Sequence, residues 1–447
     1  MKKIIYFSYA LVSLSISAQC FDKVFAGKYH FIAVSQDGTL WAWGKNDHGY
    51  IGDGTTTEKH TPVQISTETG WEHISAGRLH NVAIKSDGTL WAWGNNFDGQ
   101  TGNGTSNNNV LYPMQIGIDT DWKEASAGDH GSVAVKTDGT LWTWGKNTNG
   151  YLGNGMAQNY QNLVPTQVGT ETDWKSVSGK ERHCLAIKND GSLWAWGRNF
   201  YGQLGIVTSG NGTDVYTPVQ VGTATDWKQA ESTPEFSYAL KENNTLWAWS
   251  STGRLGITTT QPIQVGTHND WKTVSVFSDG SGSAVLLTKE NGTLWAWGSD
   301  YLQRLGNGTQ QGDYQSPTKI GTETDWVSAS IGYYQSNAIK ADGTFWAWGA
   351  TQLVGNGSGN IPSPTQYACT SLSVENIEIT NTTLRIYPNP ANSVVNFSFP
   401  VSGKIIDITG KEILSINEST SVDVSSFSKG MYFIIATDGT TEKLIIQ

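Results

Sequence analysis

Histidine and cysteine are the side chains in this sequence best suited to metal binding or nucleophilic attack, and their placement argues against both. Four of the eight histidines, His30, His80, His130 and His183, recur about fifty residues apart. Imidazole is a common zinc ligand, so four of them invite a metal reading. A zinc site needs its ligands to converge on one point. These histidines read instead as one position of a repeated unit, and each is expected to hydrogen-bond the loop of its own unit. The Gly- and Asn-rich segments 95–104, 147–155 and 199–205 suggest a phosphate or Ca2+ loop. No G-K-[ST] follows them, and their acidic side chains are too few, so neither a metal nor a cofactor is expected. The sequence has no G-x-S-x-G, H-E-x-x-H or C-x-x-C, and Glu72 and its acidic neighbours carry no mark of acid–base work. The chain is read as a non-enzyme with no catalytic residues.

Charge and composition narrow the partners. A net charge of −10 over 447 residues excludes the basic surface that nucleic acid or an anionic membrane face would need. Only 15% of residues are charged, and glycine is abundant, as in a β-protein with many turns. Lys2 and Lys3, the apolar run Ile4–Ile16 and the small pair Ser17-Ala18 read as a secretory leader over residues 1–18. Gln19 before Cys20 disfavours a lipoprotein signal. No later stretch is apolar enough to span a membrane.

A repeat dominates the sequence. W-x-W-[GS] occurs at Trp41, Trp91, Trp142, Trp194, Trp247, Trp295 and Trp346. A further Trp opens each later unit, at Trp71, Trp122, Trp174, Trp227, Trp271 and Trp326, with Phe21 in that place in the first. The second unit predicts four strands: A at Trp71–Ala76, B at His80–Lys85, C at Thr89–Gly94 and D at Pro113–Ile116. Asp87-Gly88 is read as a two-residue hairpin turn, which sets Ile84 opposite Trp91 and Val82 opposite Trp93. Trp91 and Trp93 share one face, while Leu90 and Ala92 take the other. Apolar residues on both faces suit a sheet between sheets, and four-stranded sheets repeated radially make a propeller. Asp121, Asp173, Asp226, Asp270 and Asp325 each precede a unit's first Trp and are read as architecture.

The pattern W-x-x-[VI]-[SA]-[AS]-G-x-x-H-x-x-A-[IV]-K-x-D-G-[TS]-L-W-x-W-G-x-N-x-x-G-Q-[LT]-G resembles the regulator of chromosome condensation repeat. The resemblance spans residues from about 20 to 368 and implies a seven-bladed β-propeller. Units five and six depart most, with Phe236 in the His position and Asn291-Gly292 for Asp-Gly, and are expected to be less regular. Closing such a ring would bring Cys20 and Cys369 together. A disulfide between them and two free thiols are both open readings. Cys184 is read as a buried structural thiol.

The composition changes after Cys369. Tyr387-Pro388-Asn389-Pro390, Gly430-Met431-Tyr432-Phe433 and Lys443-Leu444-Ile445-Ile446 resemble the C-terminal sorting domain of type IX secretion. That resemblance implies dealings with the type IX machinery, passage from periplasm through the outer membrane, and release or surface anchoring. Residues Tyr387, Pro388, Asn389, Pro390, Gly430, Tyr432 and Lys443 would carry the signal. The fold expected is all-β, a seven-bladed propeller followed by a small β-sandwich. The domains are leader 1–18, propeller 19–369, linker 370–381 and sorting domain 382–447.

Loop placement then locates recognition. A–B and C–D loops lie at one end of an up-and-down blade, B–C turns and D–A connections at the other. The second set is uniform and the first varied, and varied loops on a rigid scaffold are where binding usually sits. Tyr112, Tyr160, Tyr216, Tyr314, Tyr333, Tyr334, Arg78 and Arg182 are the candidate ligand contacts, being of types favoured at interfaces. The function expected is a secreted or cell-surface scaffold that binds an extracellular protein. The alternatives are a carbohydrate-binding adhesion module or a secreted inhibitor, since the resembling family includes a secreted inhibitor of β-lactamases. Nucleotide exchange on a GTPase is disfavoured by export and charge.

Overall fold

A computed structural model describes residues 21–279, 282–308, 312–350, 360–367, 386–387, 391, 393–408, 411–437 and 441–446. Residues 1–18, expected to be a leader, and Cys20, Cys369 and Pro388–Pro390 lie outside these residues. Contacts divide the chain into two compact units, 1–370 and 371–447.

The first unit is seven four-stranded antiparallel sheets, each built from one continuous segment with strands in the order A-B-C-D. In blade 2 these are Trp71–Ala76, His80–Lys85, Leu90–Asn96 and Asn108–Gln115. The A strands of successive blades pack on one another, and those of blades 7 and 1 do too, so the ring closes. A prolyl residue sits in strand D of every blade, from Pro62 to Pro362. Strand D bonds only to strand C, and an edge strand tolerates the missing N–H.

The hairpin register differs by one residue from the sequence expectation. Ala83 faces Trp91, Val82 faces Ala92 and Ile84 faces Leu90. The turn has three residues rather than two. Lys85 N donates to Thr89 O, and Gly88 N to Lys85 O, with Gly88 at φ 76°, which is the three-residue loop with a left-handed glycine. Asp87 Oδ1 locks it by accepting from Thr89 N at 3.0 Å and Thr89 Oγ1 at 2.6 Å.

Each strand C therefore sends its two tryptophans to different tasks. Trp91 Nε1 donates to Thr89 Oγ1 of its own turn. The first Trp of the unit and the first of strand C then enclose the lysine that ends strand B. Lys188 Nζ lies 4.7 Å from the Trp174 ring and 4.4 Å from Trp194. Glu171 and Asp173 from the preceding connector meet that ammonium at 2.9 and 3.2 Å. Blades 2 to 7 repeat this cage, with Lys85, Lys136, Lys241, Lys289 and Lys340, which explains the aspartates before the first Trp of blades 3 to 7; in blade 2 Glu68 meets the lysine. Blade 7 has no D–A connector to blade 1, and there Phe21 and Ser35 replace the Trp and the Lys. A lysine at that place would lack its carboxylates.

The second strand C tryptophan joins blades. Trp144 Nε1 and Ser132 Oγ both donate to Gln100 O of the preceding blade, at 2.9 Å each. Tyr50 O receives Trp93 and Asn81, Gln203 O receives Trp249 and Ser237, and Arg304 O receives Trp348 and Ser336. Histidine extends the joint. His30 Nε2 meets Asn81 Oδ1 at 2.6 Å, and His80 and His183 meet Ser132 and Ser237 Oγ at 2.8 Å. These bonds run to the next blade, not to the loop of the same blade as the sequence suggested. His130 is out of line with the others. Gly131 pairs with Gly145 where His80 pairs with Gly94. Tyr151 fills the space left, and a Cβ on Gly131 would meet its ring at 2.9 Å. Between blades 5 and 6 the joint is apolar, made by Phe236, Tyr238, Leu255, Val285 and Trp297.

The buried histidines make stability pH-dependent. Burial holds His80 down at about 3, so it stays neutral in the folded chain while the unfolded chain titrates near 6.5. The contribution is complete above 6.5 and is lost as pH falls toward 3. Between pH 7.5 and 5 this costs about 2 kcal/mol for one such site. His80→Gln, measured beside the parent by denaturant titration, is expected to lose that much less on acidification. Parallel acid profiles would refute it.

The second unit is a five-stranded sheet organised by the long strand Val394–Asp407. One half of that strand pairs with Ile386–Tyr387, the other with Gly430–Ala436, and Glu412–Asp423 runs beside both. Val395, Ile405, Val424, Ile434 and Leu444 form its core. Tyr432 is buried there and its hydroxyl donates to Ser428 O. Gly430 opens one strand and Lys443 lies exposed in the last.

Candidate recognition face

The A–B loops of the blades converge on the axis and border a small open funnel with a cavity of about 40 Å3. Lys28, Arg78, Lys180, Glu181, Pro234 and Phe277 stand on its wall. C–D loops surround them, as Tyr301 touches Tyr333 and Asp98 touches His130. The loops are held firmly because each carbonyl joint described above belongs to a C–D loop.

One side of the mouth is ionic. Asp129, 2% exposed, takes Arg78 Nη1 on both oxygens at 3.0 and 2.9 Å. His130 Nε2 lies 3.3 Å and Arg182 Nε 4.0 Å from the same carboxylate. His130 Nδ1 also meets Asp98 at 2.7 Å, and Lys180 meets Glu231 at 3.0 Å. Burial, then the charge of Asp129, pushes the Glu181 carboxyl up, against Lys28, Arg78 and Arg182. The arrangement presents neutralised, fixed charges in place of mobile ones.

The other side is aromatic. Tyr333 lies 4.3 Å from Tyr334, 5.6 Å from Tyr301 and 5.8 Å from both Tyr29 and Phe277, centroid to centroid. Lys28 Nζ sits over Tyr29 and Tyr333, at 5.2 and 5.5 Å. Farther out, Phe97, Phe200 and Tyr301 occupy one position of the C–D loops of blades 2, 4 and 6 and are 45%, 38% and 42% exposed. They have the geometry for stacking and the rigidity for tight contact.

The structure thus gathers Arg78, Arg182, Tyr333 and Tyr334 at the mouth, and sets the other four tyrosines elsewhere. Tyr160 is 41% exposed in the C–D loop of blade 3. Tyr112 and Tyr216 belong to strand D, where they pack on the neighbouring blade at Gly54 and Gly150. Tyr314 begins strand D of blade 6 and packs on the core. Strand D starts before its proline, so residues read as loop are strand. Tyr29, Phe277, Tyr301 and Asp129 were not singled out from sequence. The aligned aromatics after Asn96, Asn199 and Asp300 were the available signal.

Known proteins place this geometry. Residues 385–447 match the secretion system C-terminal sorting domain, the tail of type IX secretion, and the protein is therefore exported to the cell surface or exterior. No helix among the described residues is long and apolar enough to cross a membrane. Yeast RCC1 (Prp20), in its complex with Kap60, superposes with a TM-score of 0.64 at 18% identity, covering 86% of this chain and 93% of that one. Human WBSCR16 gives 0.63 at 19% identity over 72% and 88%. The ultraviolet-B receptor UVR8 of Arabidopsis thaliana is 31% identical over 52% of this chain and 42% of its own length. Human E3 ubiquitin-protein ligase HERC2 is 27% identical over 49% of this chain and 4% of its own. The chain spans less than half the length of these curated relatives. Residues 37–84, 87–135, 138–187, 190–240 and 291–339 match the regulator of chromosome condensation (RCC1) repeat, and the chain belongs to that family.

Proposed function

We propose that this protein is an extracellular recognition scaffold that binds a partner protein at the funnel mouth. The observation that carries the reading is the pairing of an aromatic half with a fixed ionic half on A–B loops tied blade to blade by Lys28 N to Gly77 O, Asp129 N to Glu181 O and Tyr333 N to Lys28 O. Aromatic rings and arginines held rigidly lose little entropy on binding and dominate interface energies. The sorting tail puts this face outside the cell. The described residues of the mouth are built of ion pairs and packed rings, which supports a non-enzymatic reading. Inhibition of a secreted enzyme is one form that such binding takes. The exposed Phe97, Phe200 and Tyr301 favour a second reading, stacking on sugar rings. Export and a net charge of −10 weigh against exchange on an intracellular GTPase.

The test is capture by purified full-length chain from surface and culture fractions, read by mass spectrometry. The parent is expected to enrich one defined protein. Tyr29→Ala with Tyr333→Ala is expected to weaken that complex at least about thirtyfold, as for a hot spot, with an unchanged melting curve. Tyr112→Ala is expected to leave binding intact. Undiminished capture by the double variant refutes the site. Retention of polysaccharide with no protein moves the sugar reading to first place.

A further inference from the structure

Three kinds of bond tie blade to blade toward the recognition face, and the joint between blades 5 and 6 shows none of them among the described residues. The first runs from the second strand C tryptophan to a C–D loop carbonyl of the preceding blade, as Trp249 Nε1 donates to Gln203 O at 2.9 Å. The second joins histidine to a serine of the next blade, as His183 meets Ser237 at 2.8 Å. The third lies on strand A. Ser126, Ser178 and Ser275 Oγ accept from Gly179, Ser232 and Ile331 N of the next blade at 3.0–3.2 Å.

At this joint Phe236 holds the histidine position. Val285 holds the serine position, since it pairs with Trp297 as Ser237 pairs with Trp249. Glu231 stands in place of the strand A serine, and its carboxylate turns back to Ser178, Lys180 and Gln229 of blades 4 and 5 at 3.0–3.3 Å. The tryptophan is present but not engaged. Trp297 and Tyr238 are buried with their rings 6.1 Å apart. Neither the indole N–H nor the phenol hydroxyl has a hydrogen-bond partner among the described residues. What closes the joint is the packing of Phe236, Tyr238, Leu255, Val285 and Trp297. Apolar packing is non-directional, and two buried polar groups without partners make the closed state costly. Water that reaches them on opening returns that cost. At the opposite end of the blades the joint is ordinary. Trp271 N donates to Asn244 O at 3.2 Å, as Trp227 N does to Gly191 O at 3.1 Å.

We infer that the propeller has a hinge here, at which blades 5 and 6 part toward the recognition face and stay joined at the other end. Segments with few directional bonds supply the low-energy openings of a folded protein. Opening widens the funnel, because Ser232, Thr233 and Pro234 wall it from blade 5 and Val276, Phe277 and Ser278 from blade 6. The closed cavity of about 40 Å3 has room for little more than water, and the hinge is what lets a larger group enter. The inference concerns the propeller alone and does not depend on which molecule the mouth binds.

The experiment uses the full chain and maleimide labelling under native conditions, resolved by peptide mass spectrometry. Cys184 is the reference, since it pairs with Trp196 at the joint of blades 3 and 4 as Val285 pairs with Trp297. The thiol of Val285→Cys is expected to label at least about a hundredfold faster than Cys184. Adding Glu231→Ser, which supplies the missing serine, is expected to slow that labelling at least about tenfold, as one regained hydrogen bond would. Leu255→Cys, from the C–D loop of blade 5, is expected to give the same ratio against Leu152→Cys and keeps the test open should the first variant not fold. Equal rates at the two joints overturn the inference. If both are slow the joint is shut, and if both are fast the whole chain opens. A rate that Glu231→Ser leaves unchanged overturns it too, because the opening then does not come from the missing bond.

Discussion

Trp196→Ala lowers the unfolding free energy by about 4 kcal/mol, and Trp194→Ala by about half as much, although the two residues are neighbours on one strand. Trp196 is buried in the core between blades 3 and 4 with Val133, Tyr151, Leu152, Val177 and Cys184. Its indole N–H donates to Tyr151 O at 2.8 Å. Truncation therefore leaves a large cavity and a buried carbonyl with only the weak Cys184 thiol donor at 3.7 Å, and the two costs add. Trp194 is only partly buried and donates to Ser192 of its own turn. Its ring lies 5.8 Å from Trp174 and under Lys188, and water can replace much of what it gives up. The loss at Trp196 also reaches the recognition face, because Tyr151 belongs to the C–D loop of blade 3. Hydrogen exchange in residues 147–160 is expected to quicken in Trp196→Ala and to remain slow in Trp194→Ala. Denaturant titration and exchange mass spectrometry check both statements. Equal destabilisation with equal loop protection would show that the joints do not hold the loops.

Much of this architecture was legible because it is repeated. Strands A and B of blade 2 have the limits that the pattern predicted, Trp71–Ala76 and His80–Lys85. Seven copies of one spacing average out local ambiguity in a way that a single amphipathic segment cannot. What misled was identity taken without register. Asp-Gly suits a two-residue turn, yet Ser86 joins the loop here and shifts every partner of strand C by one. His130 was aligned by residue type, while the backbone aligns Gly131. Proline lies inside strand D and does not begin it, because an edge strand tolerates the missing N–H. The mouth was the hardest part to read. Tyr29, Phe277, Tyr301 and Tyr333 meet from blades 1, 6 and 7, and Arg78, Asp129 and Arg182 meet from blades 2, 3 and 4. No spacing along the chain marks contacts that exist only because a ring brings loops together.

Cys20 and Cys369 are expected to be joined by a disulfide whose reduction costs about 5 kcal/mol, near the upper end for a long closed loop. Both lie outside the described residues. Phe21 is buried with its ring 5.7 Å from Phe345. Tyr367 sets its ring 5.8 Å from Phe345 and donates its N–H to Phe345 O at 2.8 Å. The residues flanking the two cysteines thus meet on one side chain. The seam needs a fastening. Every other pair of blades is linked by a D–A connector, and among the described residues no strand from one end of the propeller completes the blade at the other. Blades 7 and 1 are held by packing and a few bonds such as Ala26 N to Ser330 Oγ. Cys184 provides an internal control, being buried with its thiol pushed well up and so unreactive in the native chain. Maleimide is expected to label no cysteine in the native protein, one after unfolding without reductant, and all three after unfolding with it. Cys20→Ser and Cys369→Ser are expected to lower the denaturation midpoint equally, and the double variant no further. Two labelled thiols in the native protein would mean that aromatic packing on Phe345 closes the ring unaided. In that case Phe345→Ala, not reduction, would open it.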